Sequence, residues 1–275
     1  ARGGLFQKVA NFLSPYQIVY IKTLVKHYKE KRMHKGVLKM LYKGHYGLMK
    51  EIVDNTSVFL PNSDSEMKRV ATEFKLKNPK YVSIPNAIDK SVFKESDDNQ
   101  TNPFLKYNDC ILCAARIEGR KSTLNLVRAV KNTNYQLVLV GKESQNQKEY
   151  VNQVHLEAGE NVTFLGAISH EELNKLYQVC KVHALVSWME TPGLSSLEAA
   201  AMGKNIVVTT KGDTYDYFED YAFYCAPDDV ESIKKAIDEA YNSPVNPKLK
   251  QKILEKYTWE QTAVETLKAY ELALQ

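Results

Sequence analysis

From Phe104 onward the chain alternates between two patterns, and that alternation constrains its fold more than any other feature. Short apolar runs recur at Cys110–Ala114, Gln136–Val140, Val162–Leu165, Val182–Val186, Ile206–Thr209 and Ala222–Cys225. Each has the length and composition of a buried strand. Helical patterns separate most of them, at Ser122–Lys131, Gln147–Glu157, Glu171–Cys180 and Gly193–Met202, and Val230–Tyr241 follows the last. Strands alternating with helices of this length predict an α/β fold with a doubly wound parallel sheet. Such sheets bind ligands at the carboxyl ends of their strands.

Two stretches place chemistry at those ends. In VHALVSWMETPGLSSLEAAAMGKNIVVT, Val182–Thr209, a strand leads through a loop into a small-residue helix. Gly203 stops that helix where a left-handed residue is wanted. Glu190 precedes the helix and Glu198 lies inside it, while the first amides, around Gly193 and Leu194, suit an anion. An isolated pair of glutamates reads better as solvated surface. This pair sits at a strand end and is matched by a second motif upstream, ARIEGRKSTLNLVRAV. There Arg116 and Lys121 bracket the turn into a helix. Arg can fork onto two phosphate oxygens, and Lys acts as a compact charge. Arg120 and Arg128 read as ordinary surface cations.

The Glu-x7-Glu of ETPGLSSLE and the Arg-x4-Lys of RIEGRK together resemble the retaining glycosyltransferases of family 4, among the group 1 glycosyl transferases, which have the GT-B fold. The stretch FLPNSDSEMKRV…YVSIPNAIDKSVF resembles the close of that family's N-terminal domain. This resemblance implies that Arg116 and Lys121 hold a donor diphosphate, Glu190 meets the donor sugar and Glu198 the ribose. It also puts backbone near Ile168 against the base, and Thr191, Pro192, Gly193 and Leu194 around the donor. Arg116, Lys121 and Glu190 are then the catalytic set. Departures are visible: Thr191 and Pro192 fill the middle of the loop, and Ala115, Ser122 and Ala87 stand where the family has glycine. Of a glycine-rich turn only Gly141 remains, and Asp216 replaces a loop Glu.

The expected function is transfer of a sugar, with retention, from a nucleoside-diphosphate sugar to a glycan or lipid-linked acceptor in surface polysaccharide or glycoconjugate synthesis. No carboxylate is poised as a covalent nucleophile, so the resemblance implies front-face departure assisted by the leaving phosphate. No cofactor and no metal are expected, since Asp-x-Asp is absent and the cations already supply positive potential. A non-catalytic nucleotide-sugar-binding module and a GT-B epimerase remain as alternatives.

The 275 residues suffice for two domains. The resemblance divides them into a helix-rich, partial N-terminal domain at 1–94, a polar linker at 95–103, a nucleotide-sugar domain at 104–257 and a closing helix at 258–275. Before the linker only Val58–Leu60 and Tyr81–Ile84 read as strands, with Asn62–Ser65 capping a helix between them. A doubly wound layer needs more strands than that. The chain also opens on Ala1. The expectation is therefore a domain lacking its beginning and the acceptor-side catalytic His, so that the chain binds donor but transfers poorly.

Charge is unevenly placed, although the net is only +4. Between Gln17 and Lys50 lie Lys22, Lys26, Lys29, Lys31, Arg32, Lys35, Lys39, Lys43 and Lys50, interleaved with apolar residues and opposed only by Glu30. This reads either as a face for an anionic membrane or as a core helix with solvated lysines. Nucleic acid is excluded as a partner, because no reader motif accompanies the lysines. No apolar run reaches the roughly 20 residues that cross a bilayer, so the expected place is the cytoplasm, with membrane contact peripheral. His27, His34, His45 and His170 read as surface, loop or capping residues. Cys110 and Cys113 form C-x-x-C within a strand, where an offset of three sends the side chains to opposite faces. With no second ligand pair, they and Cys180 and Cys225 read as buried thiols.

Overall fold

The computed structural model describes residues 12–30, 35–94 and 102–275. Most of the expected linker, residues 95–101, and the basic residues Lys31 and Arg32 lie outside the described residues. The chain forms two compact units, the described part of Ala1–Phe59 with Arg69–Lys80, and Leu60–Lys68 with Tyr81–Gln275. They do not divide at the polar stretch.

In the larger unit, six parallel strands run β1 (Ile111–Ala114), β2 (Leu137–Val140), β3 (Val162–Gly166), β4 (Val182–Leu185), β5 (Asn205–Thr209) and β6 (Phe223–Cys225). Their order is β3-β2-β1-β4-β5-β6. Each begins and ends within a residue of its apolar run. Strands β1, β2, β4 and β5 are buried along nearly their whole length, while β3 and β6, at the sheet edges, are only partly buried. Crossovers leave β1 toward β2 and β4 toward β5 on opposite sides of the β1–β4 pair. Their loops therefore diverge and leave a crevice at the strand ends.

Helices cover both faces. Cys110 and Leu112 belong to one core with Leu176 and Tyr177 of His170–Val179, and with Leu197 of Leu194–Ala201. Ile111 and Cys113 belong to the other, with Leu126 of Thr123–Val130, Val154 of Lys148–Glu157 and Ile233 of Val230–Asn242. The two cysteines of C-x-x-C thus face opposite layers, and all four thiols are buried and free. Burial pushes the Cys113 and Cys180 thiols up to about 12, which keeps them protonated and unreactive.

Two helices were not anticipated. Thr214–Phe218 lies within the segment expected to be a loop. Pro247–Lys256 carries its own signals, an Asn246 cap, proline in the first turn, and Leu249 and Ile253 four apart. The expected closing helix is Trp259–Ala273, with Thr258 as its cap.

The strands expected at Val58–Leu60 and Tyr81–Ile84 do not form as elements. Only Phe59 and Tyr81 remain as bridge residues. Pro61, Pro79 and Pro85 lie in or beside these runs and supply no amide to a ladder.

The smaller unit is built on the helices Pro15–Glu30 and Lys35–Asp54, the second broken at Gly44. Tyr46 stacks on Phe74, and the Tyr16 hydroxyl donates to Glu73. Lys39 and Lys43 both pair with Glu51, and Lys50 pairs with Asp54. Part of the basic surplus is therefore answered from just beyond the Gln17–Lys50 window. No described helix is long and apolar enough to cross a membrane.

Candidate active site at the strand ends

The crevice beyond β1 and β4 is a cavity of about 570 Å3. Label α1 the helix Thr123–Val130, α2 His170–Val179 and α3 Leu194–Ala201. The turn between β1 and α1 brings Arg116 and Lys121 to one wall, and the loop between β4 and α3 brings Glu190, Thr191, Gly193 and Leu194 to the other. Ile168 and His170 come from the entry to α2, and Glu198 from inside α3. Pro192 is buried and does not line the cavity; its peptide bond with Thr191 is cis.

At the junction of the walls, Lys121 Nζ pairs with Glu190 Oε1. Their side chains are only 13% and 9% exposed, so the charges meet largely out of water. Arg116 and Arg120 are 64% and 51% exposed and reach into the opening. The Glu118 carboxylate lies between them, 3.6 Å from Arg116 Nη2 and 3.4 Å from Arg120 Nε. Arg120 Nη1 is 3.9 Å from Glu190 Oε1 and donates to the Met189 carbonyl at 3.3 Å. Arg120 is therefore a third cation of the site rather than incidental surface. Its place one residue before Lys121 was the available signal. Arg128 is different: its guanidinium takes both oxygens of Glu157 at 2.6 Å, a structural pair away from the cavity.

The Glu190 loop is braced from β5. The Glu190 amide donates to the Lys211 carbonyl, and the Asp213 amide to the Glu190 carbonyl at 2.8 Å. Gly212 lies so close that a Cβ there would sit 2.2 Å from the Glu190 carbonyl oxygen, at φ +101°. Thr191 Oγ1 donates to Asp213 Oδ2 at 2.8 Å. Asn86, from the Ile-Pro-Asn turn, donates to the Thr191 carbonyl and also lines the cavity.

At the start of α3, Gly193 adopts φ +85°, and a Cβ would meet Leu185 Cδ2 at 2.5 Å. No side chain caps the helix. The amides of Ser196 and Leu197 bond the Gly193 carbonyl. Those of Leu194 and Ser195 come before the first intrahelical bond and remain for an anion. Ser122, standing where the resemblance has glycine, takes a left-handed φ of 51° before α1. Its hydroxyl donates to the Pro227 carbonyl at 2.6 Å.

Glu198 is half-buried, and its carboxyl is raised above the usual range by burial, opposed by the Tyr177 hydrogen bond and the nearby His170. Beneath the site, His183 on β4 is fully buried, and burial, then the charge of Lys121, lowers it to about 3. It is a neutral packing group at physiological pH.

Asp216 is not part of this cavity. Its carboxylate accepts from the Ser65 amide and hydroxyl at 2.8 and 2.7 Å, beside a second concavity of about 530 Å3. Among the described residues, no three His, Cys, Asp or Glu side chains are grouped to hold a metal.

The sequence pattern described as Glycosyl transferases group 1 matches residues 94–258. An uncharacterized glycosyltransferase of Methanocaldococcus jannaschii is 28% identical over 178 residues, 60% of this chain and 45% of that protein. D-inositol 3-phosphate glycosyltransferase of Stackebrandtia nassauensis is 27% identical over 248 residues, 82% of this chain and 56% of that protein. The chain thus spans about half the length of these curated relatives. An Anabaena structure in complex with UDP and glucose superposes with a TM-score of 0.61 at 17% identity, covering 84% of this chain and 65% of that one. That likeness establishes the GT-B-like α/β fold.

Proposed function

Since the chain belongs to the glycosyl transferases group 1 family, we propose that its cavity binds a nucleoside-diphosphate sugar and serves sugar transfer with retention to a glycan or lipid-linked acceptor. The observation that carries this reading is the Lys121–Glu190 pair. A cation suited to phosphate and a carboxylate suited to sugar hydroxyls touch at the point where a donor's glycosidic oxygen joins the two. Arg116, Arg120 and the amides of Leu194 and Ser195 surround the diphosphate, and charge that develops on the leaving group is stabilised there. Glu190 is held by Lys121 and braced from β5, so it orients the sugar rather than attacking it. Retention then follows from departure and attack on one face.

The experiment is calorimetry with UDP, GDP, ADP and their glucose conjugates, followed by transfer to a membrane extract. Binding of a nucleotide sugar with turnover only when acceptor is present supports the transferase. Turnover without acceptor favours an epimerase, and binding with no turnover a binding module.

We propose further that the helix Pro15–Glu30 rests on a lipid surface. On Pro15–Glu30 no residue is buried. Ile21, Val25 and Tyr28 are exposed, on the same helix as Lys26 and Lys29. A helix of that composition lies on anionic headgroups. Vesicle co-sedimentation should require anionic lipid and weaken with salt. Indifference to both would remove this part of the proposal.

A further inference from the structure

We propose that Tyr177 is a positioning residue for Glu198, holding its carboxylate toward the paired hydroxyls of a ribose and so making the site selective for ribonucleotides. This rests on the donor-site reading above and adds a residue and a specificity to it. Tyr177 lies on α2 and is fully buried, with the rings of Phe93 and His183 centred 5.9 Å and 6.0 Å from its own. Its hydroxyl oxygen is 3.0 Å from Glu198 Oε2 and 3.0 Å from the Ser195 carbonyl oxygen. The single phenol proton is thus shared between two acceptors, the carboxylate and a carbonyl of the first turn of α3.

The geometry matters because a glutamate can rotate about three bonds before its carboxylate plane is set. A vicinal diol offers two hydroxyl protons in a fixed relation, and a carboxylate receives both only when its plane matches. The Tyr177 contact uses one lone pair on Oε2. The other lone pairs of Glu198, which lines the cavity, stay available to a ligand. Because the ring is fully buried, the hydroxyl cannot follow a wandering carboxylate, and the carboxylate is held instead. Ordering a side chain before binding saves that cost on complex formation.

The test compares UDP, GDP and ADP with their 2′,3′-dideoxy counterparts by calorimetry. The unaltered chain should prefer the ribo form of the nucleotide it binds by roughly tenfold or more, the scale of a charge-assisted hydrogen bond. Tyr177→Phe should cut that ratio to about threefold while dideoxy affinity and Tm change little, and in a Glu198→Gln background Tyr177→Phe should have no further effect on the ratio. A Tyr177→Phe protein that keeps the full ratio, or that loses ribo and dideoxy affinity equally, overturns the positioning role alone. A wild-type chain without ribo preference overturns the ribose reading of Glu198 and this inference with it.

A measurement on the unaltered sequence guards against a variant that does not fold. With tyrosine labelled by 13C at Cζ, the Tyr177 signal should move when the ribo nucleotide is added and stay when the dideoxy form is added. Equal response to both, or none to either, overturns the proposal.

Discussion

Lys121 and Glu190 are 69 positions apart, yet the lysine ammonium contacts the glutamate carboxylate at the floor of the cavity. Each sits in the turn after its own strand, and β1 and β4 are neighbours, paired at Ile111–Val182 and Leu112–His183. Each charge of the pair answers the other. On the proposed donor-site reading, a donor's phosphate would compete with Glu190 for Lys121, and its sugar with Lys121 for Glu190.

Removing one partner should therefore have opposite effects on two ligands. Glu190→Gln frees Lys121, so nucleoside diphosphate should bind as well as or better than in wild type, by up to about 1 kcal/mol. The nucleotide sugar should lose its advantage over the diphosphate, and turnover should fall. Calorimetry of both ligands on the same protein checks this, and equal weakening of both would contradict it.

The arginines separate by role. Arg116→Ala and Arg120→Ala should each weaken diphosphate binding by about 1.5–3 kcal/mol, the range for hydrogen bonds to charged groups. Arg128→Ala should leave binding intact and cost at most about 1 kcal/mol of stability, since its pair with Glu157 is partly exposed. Unchanged affinity in both Arg116→Ala and Arg120→Ala would remove the phosphate assignment from that turn.

Ribose selectivity should be acid-sensitive above the usual carboxylate range. Burial raises Glu198 from 4.5, so it takes up a proton as pH falls through a value higher than that. Protonation removes an acceptor, and the ribo-to-dideoxy affinity ratio should drop there. Burial keeps the proton on Tyr177 throughout. Glu198→Gln should give a ratio that is low and flat with pH.

Stability should also fall on the acid side, through His183. Its native value is depressed to about 3, so below about 6.5 the unfolded chain binds a proton that the native one does not. Native stability is then lost as pH drops from about 6.5 toward 3, at up to roughly 1.4 kcal/mol per pH unit. Urea unfolding at successive pH values should show that slope, and His183→Gln should flatten it.

Donor binding should not depend on divalent metal, since Arg116, Arg120 and Lys121 at one wall and the first amides of α3 at the other already supply positive potential to the same cavity. Calorimetry in chelator should match calorimetry with magnesium. Restoration of a lost signal by the metal would sink this expectation.

Much of this was legible in residue order. A strand buried on both faces must be apolar throughout, which made β1, β2, β4 and β5 readable to within a residue, and the edge strands β3 and β6 are apolar enough on their covered sides to be readable too. Local capping was readable too: within Asn62–Ser65, the Ser63 hydroxyl accepts from the Glu66 amide at the start of the helix Asp64–Phe74. Charged side chains were harder. Arg120 and Arg128 look alike in the sequence, and only the placement of Glu118, Glu190 and Glu157 makes one a site residue and the other a strut. Tyr177 reads as one more apolar position of α2, and its hydroxyl acquires meaning because α3 folds back across it. The runs at Val58–Leu60 and Tyr81–Ile84 were misread as strands because a strand needs a partner ladder, and periodicity reports faces but not partners. Sequence by itself determined the six strands and most of the helices between them, whose hydrogen bonds and buried faces repeat over short distances. The tertiary structure alone decided which charges meet, because a contact across 69 positions depends on the strand order, β3-β2-β1-β4-β5-β6, that lays β4 beside β1.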